Sequence, residues 1–309
     1  MSLERALELA ERGRGTTYPN PIVGAVVVRD GEIVGEGWHE RKGEAHAEVR
    51  ALEQAGDLAR GATLYVTLEP CARHGSTPPC VDAVVAAGVS RVVVGAQDPT
   101  QEGIARLRGG GVEVEVLDDW RAREQNEAWL TWAEEGRPFV TYKAAVTLDG
   151  RVAVPGARWV SGPESRRLVH ELRATSDAVA VGMGTVRADD PRLDARDVPV
   201  VRQPRRLAFG RGPLPAGSEL ELLSGPLEEE LSRLAQEEVQ SLLLEGGPTL
   251  AAAFFRADLV DKLVLFVAPT IAGAGPRFVE RLPAPVALTR LEARQVGEDV
   301  LLRGYVHEP

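Results

Sequence analysis

The chain has 309 residues, of which 44% are apolar, and its formal net charge is −10. This length and apolar content allow two folded domains, and an acidic chain lacks the clustered positive surface with which proteins bind nucleic-acid phosphates. No segment approaches the roughly 18 consecutive apolar residues of a membrane span. Composition therefore argues against a nucleic-acid or membrane partner and favours a protein that acts on a small molecule.

The N-terminal segment has the pattern of an amphipathic helix. Apolar residues recur at helical spacing between Leu3 and Ala10, whereas an export signal needs an unbroken apolar run and a cleavage site. We therefore expect a cytoplasmic protein. In that compartment the two cysteines, Cys71 and Cys80, favour a metal or catalytic role, and a single short disulfide is the alternative.

The first half of the chain alternates between strand and helix patterns, which predicts a layered β-β-α-β-α-β unit. The predicted elements are strands at 22–28 and 32–37, a helix at 45–55, a strand at 63–68, a helix at 80–87, a strand at 91–95 and a helix at 119–135. Gly136 and Pro138 end the last helix, because glycine stops a helix and proline cannot continue it. We place a domain boundary there, between residues 1–136 and 137–309.

The second half indicates a mainly parallel α/β sheet, since strand patterns recur with helices between several of them. The predicted elements are strands at 139–146, 178–181, 206–209, 241–244 and 262–267, and a helix at 163–174. Ser161 is a candidate N-terminal cap of that helix. Residues 193–217 are rich in proline, arginine and glycine, which favours exposed loops.

Four residues of the first half form the side-chain set of a catalytic zinc site: His46, Glu48, Cys71 and Cys80. One imidazole and two thiolates leave the fourth tetrahedral position to water, whose pKa zinc lowers. In this interpretation Glu48 is not a ligand. It moves protons from the water to the ring nitrogen and the departing ammonia, as a carboxylate does in zinc base deaminases.

The spacing of His46 and Glu48 sets a condition on the fold. Residues two apart inside a regular helix point to nearly opposite sides, so these two must straddle the start of the helix. Cys80 follows two prolines at another predicted helix start, where the helix dipole favours a thiolate. The alternative is a closed structural zinc site in which His74 is the fourth ligand.

Four motifs of the first half carry a family resemblance. They are T-Y-P-N-P-I-V-G at 17–24, H-A-E-V at 46–49, T-L-E-P-C at 67–71 and T-P-P-C at 77–80. They resemble the deaminase half of the bifunctional deaminase and reductase family of riboflavin biosynthesis, whose cysteines are also far apart. The resemblance implies zinc-dependent deamination of 2,5-diamino-6-ribosylamino-4(3H)-pyrimidinone 5′-phosphate, with Asn20 near the substrate.

The loop between the cysteines departs from this family at two positions. Arg73 stands where the family has histidine, and Ser76 stands where it has a basic residue that meets phosphate. The loop after Asp98 is also shorter than in the family. We expect these changes to affect substrate affinity and to leave the metal chemistry intact. If one half of the chain is inactive, they indicate that it is the deaminase half.

Five motifs of the second half extend the resemblance over nearly the whole chain. They are K-A-A-V-T-L-D-G at 143–150, W-V-S-G at 159–162, G-M-G-T-V at 182–186, A-D-D-P-R-L at 188–193 and L-E-G-G-P-T at 244–249. By itself the last motif indicates only a strand-to-helix turn whose small residues let a ligand approach backbone N–H groups. The resemblance implies a cytidine-deaminase-like three-layer α/β domain, followed by a dihydrofolate-reductase-like domain that uses NADPH to reduce the ribosyl side chain to ribityl.

The resemblance also assigns residues of the second half to two ligands. The residues expected to border NADPH are Ala145, Trp159, Thr185, Asp189, Gly247, Pro248, Thr249, Leu250, Ala251, Ala252 and Ala253. The residues expected to border the substrate are Lys143, Ala157, Arg173, Leu193, Arg196 and Glu245. The guanidinium groups of Arg173 and Arg196 suit a phosphate, and solvated surface charge is the alternative. Ala157 stands where the family often has serine.

Several conspicuous residues receive no chemical role. His39 and His170 lack partners at metal-ligand spacing, and the tryptophans between residues 120 and 132 are expected to pack a linker helix against a domain.

Three alternatives to a bifunctional enzyme stay open. They are the same folds with one inactive half, a nucleic-acid or nucleoside deaminase, and a zinc-stabilised binding module, which would leave Glu48 without a role. We expect a homo-oligomer, either a dimer through the reductase domain or a tetramer.

Overall fold

The computed structural model describes residues 2–75 and 77–309. Its contacts divide the chain into two compact units, Met1–Glu135 together with Pro309, and Gly136–Glu308. Each unit is built on a sheet of its own. Within the described ranges, every helix is too short or too polar to cross a membrane.

The first unit is a mixed five-stranded sheet flanked by helices. Its elements are α1 (Ser2–Glu11), β1 (Gly24–Arg29), β2 (Glu32–Trp38), α2 (Ala47–Ala55), a 3₁₀ turn (Gly56–Ala59), β3 (Thr63–Leu68), α3 (Cys80–Ala86), β4 (Arg91–Ala96), α4 (Gly103–Gly109), β5 (Glu113–Val116), α5 (Trp120–Gln125) and α6 (Glu127–Glu135). The strand order is β2-β1-β3-β4-β5. β1 is antiparallel to β2 and β3, and β3, β4 and β5 run parallel.

Alternation along β1 covers both faces of this sheet with helices, because successive side chains of a strand point to opposite faces. Val27 belongs to a buried cluster with Ala51 of α2 and Val84 of α3. Its neighbour Val26 packs with Leu9 of α1 on the other face. The predicted three-layer α/β fold is thereby confirmed for the first unit.

Glycines let α1 and α2 lie unusually close to the strands. A Cβ atom on Gly24 would lie 2.0 Å from the carbonyl oxygen of Ala6, and one on Gly37 would lie 2.4 Å from that of Ala47. Only a residue without Cβ fits at either position. The contact at Gly37 fixes the first turn of α2, which carries Glu48.

The predicted helix at 119–135 is wrong in one respect, because the structure divides it into α5 and α6 at Asn126. The buried Asn126 amide donates to the carbonyl oxygen of Ile22 (2.9 Å) and accepts from the Ile22 N–H (3.0 Å). These partners lie 104 residues away in sequence. A tertiary contact therefore causes the break between the two helices, and the local sequence pattern cannot predict it.

The second unit is an eight-stranded sheet with the order β12-β13-β11-β6-β10-β7-β8-β9. Its elements are β6 (Phe139–Thr147), α7 (Pro163–Thr175), β7 (Ala178–Gly182), α8 (Met183–Asp189), β8 (Arg205–Phe209), β9 (Glu221–Leu223), α9 (Leu227–Gln236), β10 (Ser241–Leu244), α10 (Pro248–Arg256), β11 (Lys262–Ala268), β12 (Thr289–Val296) and β13 (Asp299–Tyr305). The strands from β11 to β9 run parallel, as predicted. An antiparallel hairpin, β12 and β13, completes one edge.

The N-terminus of α7 differs from its prediction. Its N-cap residue is Gly162 rather than Ser161, and no side chain of its own segment caps it. Instead Asp299 of β13 accepts hydrogen bonds from the Gly162 N–H (2.8 Å) and from the hydroxyl of Ser165 (2.5 Å). A carboxylate from β13 thus binds the N–H of the N-cap residue and a hydroxyl of the first turn, where a side chain of the helix's own segment provides no cap.

Candidate functional site

Three separate segments of the first unit bring the predicted zinc ligands together. His46 is the N-cap residue of α2, Cys71 follows the end of β3, and Cys80 is the first residue of α3. Their ligand atoms all lie within 4.8 Å of one another, and no other histidine, cysteine or carboxylate of the described ranges joins this group. His74, the alternative fourth ligand, is therefore outside it, and both cysteines are free.

The donor atoms fit a zinc ion. Nδ1 of His46 lies 3.2 Å from Sγ of Cys80 and 3.5 Å from Sγ of Cys71, and the Cys80 N–H donates to Sγ of Cys71 over 3.2 Å. Hydrogen bonds from Cys80 and from His46 lower the pKa of the Cys71 thiol against the effect of burial. One imidazole and two sulfur ligands are a set that zinc prefers, and three ligands leave one position open.

The second ring nitrogen of His46 also has a hydrogen-bond partner. Its Nε2 lies 3.4 Å from the hydroxyl oxygen of Thr77. A metal-bound histidine needs such a partner, because the hydrogen bond of one ring nitrogen orients the other toward the metal. Thr77 therefore directs Nδ1 of His46 at the two sulfur atoms.

Glu48 lies beside the ligand group. It is the second residue of α2 and 3% exposed, and it lines the same cavity as His46 and Cys71. His46 has extended backbone angles while Glu48 is helical, so the geometry meets the condition that the two residues straddle the helix start. Burial raises the pKa of Glu48, although the charge of His46 opposes this.

The cavity at this site has a volume of about 300 Å³. Asn20, the predicted substrate residue, lines it. The cavity is also lined by His39, Leu68, Glu69, Arg73, His74, Asp98 and Trp129. From the sequence, Arg73 and Asp98 were considered as loop residues and His74 as an alternative zinc ligand, whereas His39 and Trp129 were given no chemical role. Ser76 lies outside the described residues.

Glu69 has a structural role that its motif does not reveal. Its buried carboxylate accepts from the N–H groups of Ile104 (2.9 Å) and Asp98 (3.3 Å). These bonds tie the end of β3, next to Cys71, to the start of α4. The glutamate of the T-L-E-P-C motif therefore holds the cysteine loop in place.

The second unit has a larger cavity of about 680 Å³ at the ends of its parallel strands. The residues that line it and were assigned from the sequence are Lys143, Ala145, Trp159, Arg173, Thr185, Asp189, Arg196, Glu245 and Gly247. Ala157, Leu193 and residues 248–253 do not line it. Ala251 and Ala252 are fully buried on the inner face of α10, and Leu193 is 2% exposed.

A buried charge cluster lies in the wall of this cavity. Arg173 donates to both carboxylate oxygens of Glu245, over 2.5 and 3.0 Å, and Lys143 lies 3.3 Å from the same group. Burial alone would raise the pKa of Glu245, but the charges of Lys143 and Arg173 outweigh it and lower this pKa to about 2. Glu245 is therefore ionised at neutral pH and fixes both cations.

Comparison with known proteins identifies both halves. The model of the cytidine and deoxycytidylate deaminase zinc-binding region matches residues 2–96, and that of the RibD C-terminal domain matches residues 138–302. The chain is 38% identical to the riboflavin biosynthesis protein RibD of Aquifex aeolicus, over 97% of this chain and 96% of that protein. The chain belongs to the RibD family.

Solved structures of the RibD family agree with this assignment. The chain matches Acinetobacter baumannii RibD with a TM-score of 0.87 at 36% identity, over 98% of this chain and 97% of that one. It matches a diaminohydroxyphosphoribosylaminopyrimidine deaminase/5-amino-6-(5-phosphoribosylamino)uracil reductase from Thermotoga maritima with a TM-score of 0.85 at 32% identity, over 98% and 97% of the two chains. The predicted pair of folds is thereby confirmed.

The reductase cavity contains arginines that the sequence did not single out, and a histidine that was given no role. The guanidinium groups of Arg158 and Arg166 lie 5.0 and 5.3 Å from the ring centre of Trp159. His170 lines the cavity one helical turn from Arg166. For the two residues of α7, the signal in the sequence is the spacing of Arg166, His170 and Arg173 along one face of the helix, since residues three and four apart are neighbours on a helix.

Proposed function

We propose that this chain catalyses two successive steps of riboflavin biosynthesis on one small pyrimidine substrate. The first is zinc-dependent hydrolytic deamination of 2,5-diamino-6-ribosylamino-4(3H)-pyrimidinone 5′-phosphate. The second is NADPH-dependent reduction of the ribosyl side chain, which gives 5-amino-6-ribitylaminouracil 5′-phosphate. The observation that carries the proposal is the grouping of the ligand atoms of His46, Cys71 and Cys80 at a cavity that Glu48 also lines, in a chain that matches RibD over 97% of its length.

The alternatives are less well supported. Each unit has a cavity lined by charged side chains, so an enzyme with one inactive half is not favoured. A closed zinc site in a binding module is also disfavoured, since the group within the described residues has three ligands. We assign deamination to residues 1–136 and reduction to residues 137–309.

In the deaminase domain the protein positions the substrate and moves protons. When bound, zinc supplies a Lewis acid that activates a water molecule for attack on the pyrimidine carbon. Glu48 accepts a proton from that water and delivers it to the ring nitrogen. It then takes the proton of the new hydroxyl group and gives it to the amino group, so that the C–N bond breaks, the C=O bond forms and ammonia leaves. The buried position of Glu48 and its raised pKa suit a group that both accepts and returns a proton.

In the reductase domain the protein mainly holds two ligands in contact. NADPH supplies the hydride that reduces C1′ of the ribosyl group. We infer that Ala145, Trp159, Thr185 and Asp189 border the cofactor, and that Lys143, Glu245 and Arg196 border the substrate. Because Arg173 gives two N–H groups to Glu245, Arg196 is the more available guanidinium for the substrate phosphate. Orientation in such a site contributes much of the rate.

We further propose a cytoplasmic location and a homo-oligomer, as a dimer through the reductase domain or a tetramer. The two free cysteines, which are grouped as metal ligands, support a reducing compartment. Light scattering of the purified chain would test the assembly; a monomer at micromolar concentration would contradict it.

Removal of the metal tests whether deamination and reduction take place in separate units. A chelator should abolish ammonia release from the diaminopyrimidinone substrate and leave NADPH oxidation with the deaminated substrate unchanged, because the group of zinc ligands found among residues 2–75 and 77–309 lies in the first unit. Adding zinc back should restore ammonia release. Loss of NADPH oxidation on chelation would contradict separate sites, and metal-independent ammonia release would contradict the zinc mechanism.

A further inference from the structure

His39 connects two parts of the deaminase cavity, although its sequence position indicated no role. It is the residue after β2 and 3% exposed. Its Nε2 lies 3.2 Å from Nδ2 of Asn20, and its Nδ1 lies 3.4 Å from the backbone carbonyl oxygen of Ala45. Ala45 directly precedes the zinc ligand His46. The ring therefore bridges the segment that carries Asn20 and the segment that carries His46.

The two contacts determine where the proton of the neutral ring resides. The carbonyl oxygen of Ala45 can only accept a hydrogen bond, so Nδ1 of His39 must carry the proton. Nε2 is then an acceptor, and the group that faces it must be a donor. The amide of Asn20 consequently turns its NH₂ group toward His39.

The backbone of Asn20 is fixed independently of His39. Its N–H donates to the carbonyl oxygen of Thr17 over 2.9 Å, and its own carbonyl oxygen accepts from the Thr17 hydroxyl over 3.1 Å. Two residues further on, both backbone groups of Ile22 bond to the amide of Asn126. The remaining freedom of Asn20 is the orientation of its side-chain amide, which the contact with His39 decides.

The other end of this amide is free to meet a ligand. Within residues 2–75 and 77–309, Oδ1 of Asn20 accepts no hydrogen bond, and Asn20 lines the same cavity as Glu48 and His46. With its NH₂ group turned toward His39, the amide has its carbonyl oxygen, an acceptor, at the end that faces away from His39. A substrate that places a hydroxyl or amino hydrogen there gains a hydrogen bond, and one that places an acceptor there meets repulsion.

We propose that His39 is a positioning residue of the deaminase site, which holds Asn20 with its carbonyl oxygen toward the cavity and so selects a substrate with a hydrogen-bond donor at that point. The inference rests on the proposed deaminase function for its kinetic consequence. The hydrogen-bond arrangement itself does not depend on that function.

The kinetic test compares two substitutions of His39 in the full-length, zinc-loaded protein. His39→Leu removes both nitrogens and leaves Asn20 free to turn, so the KM for ammonia release from the diaminopyrimidinone substrate should rise about tenfold, the loss of one hydrogen bond. The kcat should change less than the KM. His39→Gln keeps an acceptor near the position of Nε2 and should recover most of the KM. His307→Leu, an exposed histidine of the other unit, is the matched control and should not change the KM.

A second readout separates this role from a merely structural one. Zinc content and the KM for NADPH should stay at the wild-type value in both His39 variants. Equal KM values for His39→Leu and His39→Gln, or a loss of zinc that accounts for the activity change, would overturn the proposal.

The third readout needs no activity. In protein labelled with ¹⁵N at histidine, long-range proton–nitrogen correlation should show the His39 proton on Nδ1 and a bare Nε2, with the signal assigned by its absence from His39→Gln. A proton on Nε2 would overturn the proposal. If the wild-type protein released no ammonia, the proposed function would fail, and this measurement would still decide the arrangement of His39 and Asn20.

Discussion

At the scale of single residues, the deaminase chemistry depends most on the carboxylate of Glu48. This group is buried beside the three ligand atoms, and in the proposed mechanism every proton transfer passes through it. Glutamine has the same shape but cannot accept and return a proton.

We expect Glu48→Gln to lower the rate of ammonia release by about 10²–10⁴-fold, the usual contribution of a general acid and base. Zinc content and NADPH oxidation with the deaminated substrate should not change. Metal analysis and the two separate assays check this. Ammonia release within a factor of ten of wild type would exclude Glu48 as the proton carrier.

Glu245 makes the stability of the second unit depend on pH in a defined window. Its pKa falls from 4.5 to about 2 on folding, so its carboxylate contributes stability that is fully present above pH 4.5 and is lost as the pH falls through 2. Glu245→Gln leaves Lys143 and Arg173 buried without the carboxylate that they share and should lower the free energy of unfolding by about 3–5 kcal/mol.

Urea unfolding of the wild-type and variant proteins between neutral pH and pH 2 checks this prediction. The difference between the two proteins should shrink as the pH falls below 4.5. Glu171→Gln, which removes the exposed partner of Arg167 on α7, is the control and should cost less than 1 kcal/mol, as exposed ion pairs generally do. A difference that is independent of pH would contradict the role of the Glu245 charge.

Residues with a chemical signature could be predicted from the sequence, and residues that act through a partner could not. His46, Cys71 and Cys80 are recognisable because few residue types bind zinc and their context is specific. His39, Thr77 and the structural role of Glu69 depend on partners that only the fold brings near, for example the N–H of Ile104, 35 residues from Glu69.

At the scale of elements, the close contact of α2 with β2 sets the position of Glu48. Gly37→Ala would place a Cβ atom 2.4 Å from the carbonyl oxygen of Ala47, so α2 must move away from the sheet. We expect a loss of about 1–3 kcal/mol in the free energy of unfolding, as for other overpacked sites, together with weaker zinc binding.

Chemical unfolding and a zinc-competition titration check this prediction. Gly109→Ala in α4 is the matched control, because nothing lies within 4 Å of the Cβ position there, and alanine favours a helix. Its stability should be equal to wild type or slightly higher. Unchanged zinc affinity in Gly37→Ala would show that the close contact does not position the site.

Elements with a strong local pattern were predictable, including β3 at residues 63–68 and β10 at residues 241–244, whose predicted and observed bounds agree. The division between α5 and α6 was not, because Asn126 turns to bind Ile22 from another segment. The hairpin of β12 and β13 was missed as well: β12 is exposed along almost its whole length, so it lacks the apolar alternation that identifies a strand.

At the scale of the whole molecule, each unit has its own sheet and its own cavity, which predicts two active sites that work independently. Because Glu245 lies beside the proposed reductase substrate, Glu245→Gln should lose NADPH oxidation and keep ammonia release. A mixture of Glu48→Gln and Glu245→Gln proteins should therefore complete both steps. Glu48→Gln alone should release no ammonia, and Glu245→Gln alone should stop at the deaminated pyrimidine. If Glu245→Gln released ammonia and Glu48→Gln oxidised NADPH while the mixture formed no ribityl product, that result would indicate that the intermediate must pass between the two sites of one chain.

The central claim is that one chain performs both steps in a fixed order, and mass spectrometry of the pyrimidine during turnover tests it most directly. With zinc-loaded protein and the diaminopyrimidinone ribosyl phosphate, the account predicts conversion of the amino to the oxo compound without NADPH. Addition of NADPH should then yield the ribityl product. Reduction of the substrate before deamination, or no change of the pyrimidine under either condition, would contradict it.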